Sequence, residues 1–169
     1  MTNFRKTLML ALCLALLCHS ATAATLCSPK AKRVGSTAPV AAQTPAAPVA
    51  PVGTLADQVV WQVNVERTRA GLDSLRVDQE LTRAACVRLG EIAVVFSHTR
   101  PDGSAWSTVS ASAYGENIAM GQRTADKVMA AWMTSEGHRR NILRASFGSI
   151  GVCAATVNGV TYWVQMFGK

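Results

Sequence analysis

The sequence predicts an α+β domain of three layers, a small antiparallel sheet with helices on both faces. Three observations lead there. Helical periodicity dominates from Leu55 to about Phe96 and again from Thr124 to Leu143. A hairpin signal, Asn158-Gly159, separates two apolar runs near the C-terminal end. Within the second run, Tyr162-Trp163-Val164 and Met166-Phe167 do not alternate between apolar and polar, the pattern of a strand covered on both sides.

The elements follow in order. Leu55, Val59, Val63 and Arg67 step by fours, with Val60 filling the stripe, which predicts a first helix stopping near Gly71. Asp78 is a capping residue for a second helix carrying Leu81, Ala85, Leu89, Ile92 and Phe96 on one face, with Cys86 at its edge. That helix must end before Pro101-Asp102-Gly103, because a proline drives the residue before it out of helical angles. His98 therefore falls at its last turn or just beyond. Tyr114 to Met120 reads as a strand. A third helix starts near Thr124, with Val128, Met129 and Trp132 at helical spacing, and a short helical turn covers Gly137 to Leu143. Ser149 to Ala155 and Val160 to Phe167 form the terminal hairpin. Trp61, Trp106, Trp132 and Trp163 are read as core.

The first fifty-odd residues are of another kind. Arg5 and Lys6 precede an apolar run from Leu8 to Leu17 and the small-residue site Ala21-Thr22-Ala23. This is the layout of a secretory signal, cleaved after about Ala23, and its apolar run is too short to span a bilayer. Cys18 and Cys27 each follow a leucine, Leu17 and Leu26, where a lipid-anchor site needs a small residue. Residues 24–53 are rich in Ala, Pro, Val and Thr and include Pro29, Pro39, Pro45, Pro48 and Pro51, the composition of an extended spacer. The folded domain is thus 54–169, in a secreted or periplasmic protein with no transmembrane segment.

Charge excludes one class of partner. The whole chain carries +7, but 54–169 holds twelve Lys and Arg against ten Asp and Glu, +2. No basic stripe survives on the domain, so nucleic acid is not an expected partner. The chain is expected to act as a monomer. Of the five cysteines, Cys13 and Cys18 leave with the signal. Cys27, Cys86 and Cys153 allow three pairings, and Cys86 with Cys153 is favoured because both lie inside the domain. Closing that 67-residue loop stabilises by about 4 kcal/mol in the chain-entropy model.

Chemistry concentrates in three strings. With the signal removed, two histidines remain: His98 in Phe96-Ser-His-Thr-Arg-Pro-Asp-Gly103, and His138 in Ser135-Glu-Gly-His-Arg-Arg-Asn-Ile-Leu143. Between them Tyr114-Gly-Glu-Asn-Ile-Ala119 carries Glu116. Two imidazoles and a carboxylate with an open position suit a divalent metal, zinc first. His138 sits in a helical first turn, where the dipole disfavours imidazolium and keeps the ring in its metal-binding form. Glu136 is the candidate general base if water binds such a metal. Ser97 and Ser135 are poorly placed to act as nucleophiles with their neighbouring histidines. Asn117 is read as satisfying main-chain groups. Arg139 and Arg140 are a solvated face that, beside a cleft, would attract an anionic group.

These strings, together with Asn64-x-x-Arg67, the run from Trp132 to Leu143, Ile150-Gly-Val152 and Tyr162-Trp-Val-Gln-x-Phe-Gly168, resemble the CAP superfamily of cysteine-rich secretory, antigen 5 and plant pathogenesis-related proteins, in its compact bacterial form. The resemblance covers about Leu55 to Lys169. It implies a three-layer α-β-α sandwich with a central cavity of two His and two Glu, which here match His98, His138 and Glu116. Glu136, two residues before His138, stands closer to that histidine than the second Glu of plant-type relatives does. The cysteine-rich extension of the animal members is absent, so their channel activities are not implied. The function implied is a secreted binding protein of the bacterial envelope or medium, taking a small apolar or lipid ligand. The alternative is a metal-dependent hydrolase, peptidase-like, using the same cavity.

Overall fold

The computed structural model describes residues 52–169. The expected signal (1–23), nearly all of the spacer (24–53) and Cys27 lie outside the described residues. Helix α1 spans Leu55–Arg69, strand β1 Arg76–Val77, α2 Gln79–Ile92, β2 Gly115–Met120, α3 Ala125–Thr134, α4 Glu136–Ile142, β3 Ser149–Val157 and β4 Val160–Gly168, with one 3-10 turn at Trp106–Val109.

Caps set the helix starts. Thr54 Oγ1 accepts the Asp57 N–H, while the Asp57 carboxylate accepts the Thr54 N–H, a reciprocal box at the head of α1. Asp78 Oδ1 accepts the N–H groups of Glu80 and Leu81 at 2.8 and 3.0 Å and starts α2. Thr124 caps α3. Helix α2 stops at Ile92, earlier than the periodicity suggests. Its buried face is Leu81, Ala84, Ala85, Arg88, Leu89 and Ile92, and Phe96 lies beyond it, 44% exposed.

The sheet has the order β1-β3-β4-β2. Strand β4 pairs antiparallel with β2 and β3, and Asn158 and Gly159, both at positive φ, make the tight turn between β3 and β4. The expected small antiparallel sheet is in fact mixed, because β1 adds parallel to β3 through Arg76 and Val77. Two residues are too few to show alternation, so the sequence predicts no strand there. Strand β2 starts one residue late, at Gly115. Tyr114 also donates its N–H to Phe167 O at 2.8 Å, and its ring is exposed under the Lys169 ammonium.

Side chains of β4 alternate between two apolar layers. Trp163 and Phe167 pack with α1, α3 and α4 through Val59, Val63, Val128, Trp132 and Ile142, whereas Val164 and Met166 pack with α2 through Leu81, Ala85 and Ile92. Both faces need apolar residues, so the strand reads as one continuous hydrophobic run. Trp132 and Trp163 are fully buried, while Trp61 and Trp106 are half-buried at the edges of these layers.

Three contacts fix the layers. Cys86 of α2 is bonded to Cys153 of β3, with Cα atoms 5.1 Å apart. Arg67, fully buried on α1, donates to the carbonyls of Asp73, Ile142, Arg144 and Phe147, tying α1 to the chain on either side of the sheet's first strands. Asn64 reads Leu75 on both its N–H and C=O. The Asn64-x-x-Arg67 string is therefore a main-chain clamp. Finally, α2 begins directly against Gly151, where a Cβ would overlap the Leu81 carbonyl carbon and the Thr82 nitrogen.

Two outcomes follow from this packing. Cys86→Ser should lower unfolding free energy by about 4 kcal/mol, read by denaturant titration, and reductant should then no longer affect stability. Equal stability of the variant and the oxidised parent would contradict the bridge's role. Gly151→Ala should cost about 3 kcal/mol or more through overpacking against main chain that cannot move aside, and a melting temperature unchanged from the parent would refute that.

Candidate functional site

An arginine on the apolar stripe of α2 is the starting point. Arg88 is fully buried between Ala85 and Ile92, so its charge requires a partner inside the protein. The partner is Glu116 of β2, whose side chain is wholly enclosed. Arg88 Nε donates to Glu116 Oε1 at 2.7 Å. The other carboxylate oxygen, Oε2, accepts from His98 Nδ1 at 2.6 Å. A neutral imidazole that donates from Nδ1 to such a carboxylate carries its lone pair on Nε2.

The loop carrying His98 is held by the same arginine. Arg88 Nη2 donates to Ser97 O at 2.7 Å, and Nη1 donates to Glu91. Glu91 in turn accepts Nη2 of Arg100 at 2.7 Å and its Nε at 3.0 Å. Charges therefore alternate along Glu116, Arg88, Glu91 and Arg100. The hydrogen bond from Arg100 holds the Glu91 carboxyl below its usual range, against a smaller opposing effect of burial and with further help from Arg88. Burial works against the Arg88 charge, but hydrogen bonds to Glu116 and Glu91 outweigh it and raise its pKa.

His138 comes from the first turn of α4, which an amide network docks onto β2. Asn117 Nδ2 donates to His138 O at 3.1 Å and to Gln165 Oε1 at 3.0 Å. Asn141 Nδ2 donates to Asn117 Oδ1 at 2.9 Å and to Glu116 O at 3.1 Å. Asn117 thus satisfies main chain, as its string suggests. Burial first, and the neighbouring His98 second, push the His138 pKa below the ordinary histidine value, so this ring is neutral near pH 7. Its Nδ1 is buried and has no hydrogen-bond partner among the described residues.

His98, Glu116 and His138 line one cleft of about 300 Å³, with Asn117, Ser135, Arg140 and Asn141. Glu136 does not join them. Its side chain is 91% exposed at the start of α4 and pairs with Arg140 one turn on, at 3.4 Å. Both oxygens of Glu116 are engaged, and among the described residues no group of three His, Cys, Asp or Glu side chains is arranged to hold a metal ion. Sequence reasoning misses Arg88, Asn141 and Gln165. For Arg88 a signal exists, since a cation within an apolar helical stripe demands a buried anion elsewhere. Removing it alone should be severe: Arg88→Met leaves the Glu116 charge uncompensated and should cost about 3–5 kcal/mol by chemical denaturation. Adding Glu116→Gln should recover most of that loss, and absence of recovery would contradict the pairing.

Comparison with known proteins now identifies the lineage. The family model described as "CAP: Cysteine-rich secretory protein family" matches residues 61–167. The chain is 38% identical over 118 residues to YkwD, described as an uncharacterized protein, of Bacillus subtilis (strain 168), covering 65% of this chain and 45% of that one. It thus spans less than half the length of that relative. Among solved structures, an extracellular protein containing an SCP domain from Bacillus anthracis superposes with a TM-score of 0.61 at 24% identity, over 68% of this chain and 40% of the other. An outer surface protein from Borrelia burgdorferi gives 0.54 at 21%, over 66% and 89%. A structure titled NaASP2 with Zn2+ gives 0.53 at 17%, over 69% and 80%. With the helix-clad mixed sheet and the strings that build its cleft, the chain belongs to the CAP, or cysteine-rich secretory protein, family, as a CAP domain of the bacterial type.

Proposed function

We propose that this is an exported envelope protein whose His98 and His138 together hold a divalent metal ion, zinc first, and through it a ligand. The observation that carries the reading is the meeting of both imidazoles in one cleft, His98 with its Nδ1 bonded to Glu116 and His138 held neutral. Glu116 behind His98 is the carboxylate partner that metal-binding histidines commonly have, and it orients the ring. In this reading Glu116 orients a ligand instead of serving as a third one, and the remaining coordination positions belong to water or to the bound molecule. When bound, the ion supplies a Lewis-acid centre for an anionic or carbonyl group.

Binding is favoured over hydrolysis. The base expected for a hydrolase, Glu136, is solvent-exposed and paired with Arg140, so among the described residues no free carboxylate stands beside the pair of rings to activate water. Export is supported by the signal-like first 23 residues and by a disulfide, which persists only in an oxidising compartment. Among the described residues no helix is long and apolar enough to cross a membrane. Neighbours titled as extracellular and outer surface proteins agree with that location, and the one solved with Zn2+ makes zinc the ion to try first.

Calorimetric titration of the protein with zinc should give one site, weaker than a four-ligand structural site. His98→Ala and His138→Ala should each abolish measurable binding, and Glu116→Gln should weaken it about 10–100-fold. Zinc bound equally well by both alanine variants would overturn the assignment.

A further inference from the structure

The near balance of charge over 54–169 hides a local excess on α4. Glu136, Arg139, Arg140, Leu143 and Arg144 follow the helical spacing of three and four, and these five line one hollow of about 400 Å³. Asn141 and Ile142 face the other way and dock the helix on β2 and in the core. All three arginines are exposed, and among the described residues only Arg140 has a carboxylate partner, Glu136 at 3.4 Å. That exposed pair cancels one positive charge of the three and leaves Arg139 and Arg144 unmatched. Cations suit the last turn of a helix, but the dipole does not require guanidinium groups to gather around one hollow.

A fourth guanidinium backs the same segment from inside. Arg67, fully buried, donates to the carbonyls of Ile142 and Arg144 at 2.9 and 3.0 Å, main chain of the stretch that bears the exposed three. Its remaining partners are carbonyls as well, those of Asp73 and Phe147, and the Asp73 carboxylate acts on it only at longer range. With no ion pair in contact, its charge adds to the positive field at α4. The Arg144 head group is positioned too. It lies 5.2 Å from the centroid of the Phe147 ring, which stacks on Phe167 at 5.4 Å. A backbone pinned from within thus carries the exposed guanidinium groups, and that lowers the ordering cost of an anion site.

We propose that this hollow binds a phosphate group, free or esterified. Arginine forks present paired N–H donors that match phosphate oxygens, and a tetrahedral phosphate has oxygens enough for several forks at once, where a carboxylate has two. Leu143 adds an apolar contact for the carbon side of an ester. Arg140 also lines the histidine cleft, so one bound molecule can reach both places. The site goes beyond the reading above and needs no metal.

The test titrates the protein with pyrophosphate, followed in ¹H–¹⁵N spectra, with EDTA present and in about 0.1 M salt, where charges farther than about 10 Å are screened. Saturable shifts are expected at the Arg139, Leu143 and Arg144 amides. The Arg139→Gln/Arg144→Gln protein should bind about tenfold more weakly, the effect of lost charge-assisted hydrogen bonds. Glu136→Gln removes the competing carboxylate and should tighten binding about threefold. Arg83→Gln/Arg123→Gln deletes the same charge from exposed positions on other elements and should leave affinity within about twofold of the parent. If Arg144→Gln disturbs folding through its loss at Phe147, Arg139→Gln alone should still weaken binding about threefold. Phosphatidylglycerol vesicles that sediment the protein, where phosphatidylcholine vesicles do not, would make a lipid headgroup the source; pyrophosphate shifts without such sedimentation would make it a soluble phosphate. No saturable shift, or equal losses in the α4 and control double variants, would overturn the proposal.

Discussion

The carboxylate of Glu116 is the point on which the site's architecture rests. It is buried on an edge strand, and burying a lone carboxylate without partners is costly. Arg88, reaching across from α2, pairs with one oxygen and leaves the other to His98. The same guanidinium holds the Ser97 carbonyl, and through Glu91 and Arg100 it secures the far end of the loop. A single ion pair thus ties a helix, a strand and a loop together at that spot, beside the disulfide and the apolar layer that pack α2 on the sheet. The second imidazole is placed by a separate, uncharged device, the amides of Asn117, Asn141 and Gln165. One ring is oriented by charge and is half open to solvent; the other is oriented by its main chain and is more enclosed.

This division also separates two roles that the sequence strings blur. Glu116 and Glu136 both stand in short polar strings, and both look fit for the cavity. In the fold they differ completely. Glu116 is inside because β2 directs it toward α2, while Glu136, at the first position of α4, points to water and to Arg140. What decides is the direction in which each element presents its side chains and not distance along the chain, for Glu136 is next but one to His138 and stays outside, while Glu116 is 18 positions from His98 and reaches it.

Much of this was legible from residues alone. His98, Glu116 and His138 stand out because ionisable groups in short polar strings between apolar periodic segments have little reason to be there except to meet. The hairpin was legible from Asn158-Gly159, and the bridge from two cysteines inside the domain. Other features are hidden for physical reasons. Strand β1 is two residues long and pairs in parallel with a segment more than seventy positions away, so no local pattern marks it. Helix α2 loses its last expected turn because the loop is drawn toward Arg88 and Glu91 by tertiary contacts that outweigh periodicity. Arg88 itself resembles any helical arginine until its neighbours in the stripe are known to be buried. The orientation of Glu136 depends on how α4 is docked, which the amide network fixes and no short string encodes.

The amide contact from Asn117 to Gln165 joins residues 48 positions apart, and Gln165 belongs to the final strand. Until that strand has entered the sheet, β2 lacks its sole partner in the ladder and α4 lacks the platform beneath it. Contacts of such long sequence separation come with a large loop-closure entropy and form late. The cleft that unites the two imidazoles is consequently among the last parts of the domain to be assembled, since α4 has no platform to dock on until β4 is in place.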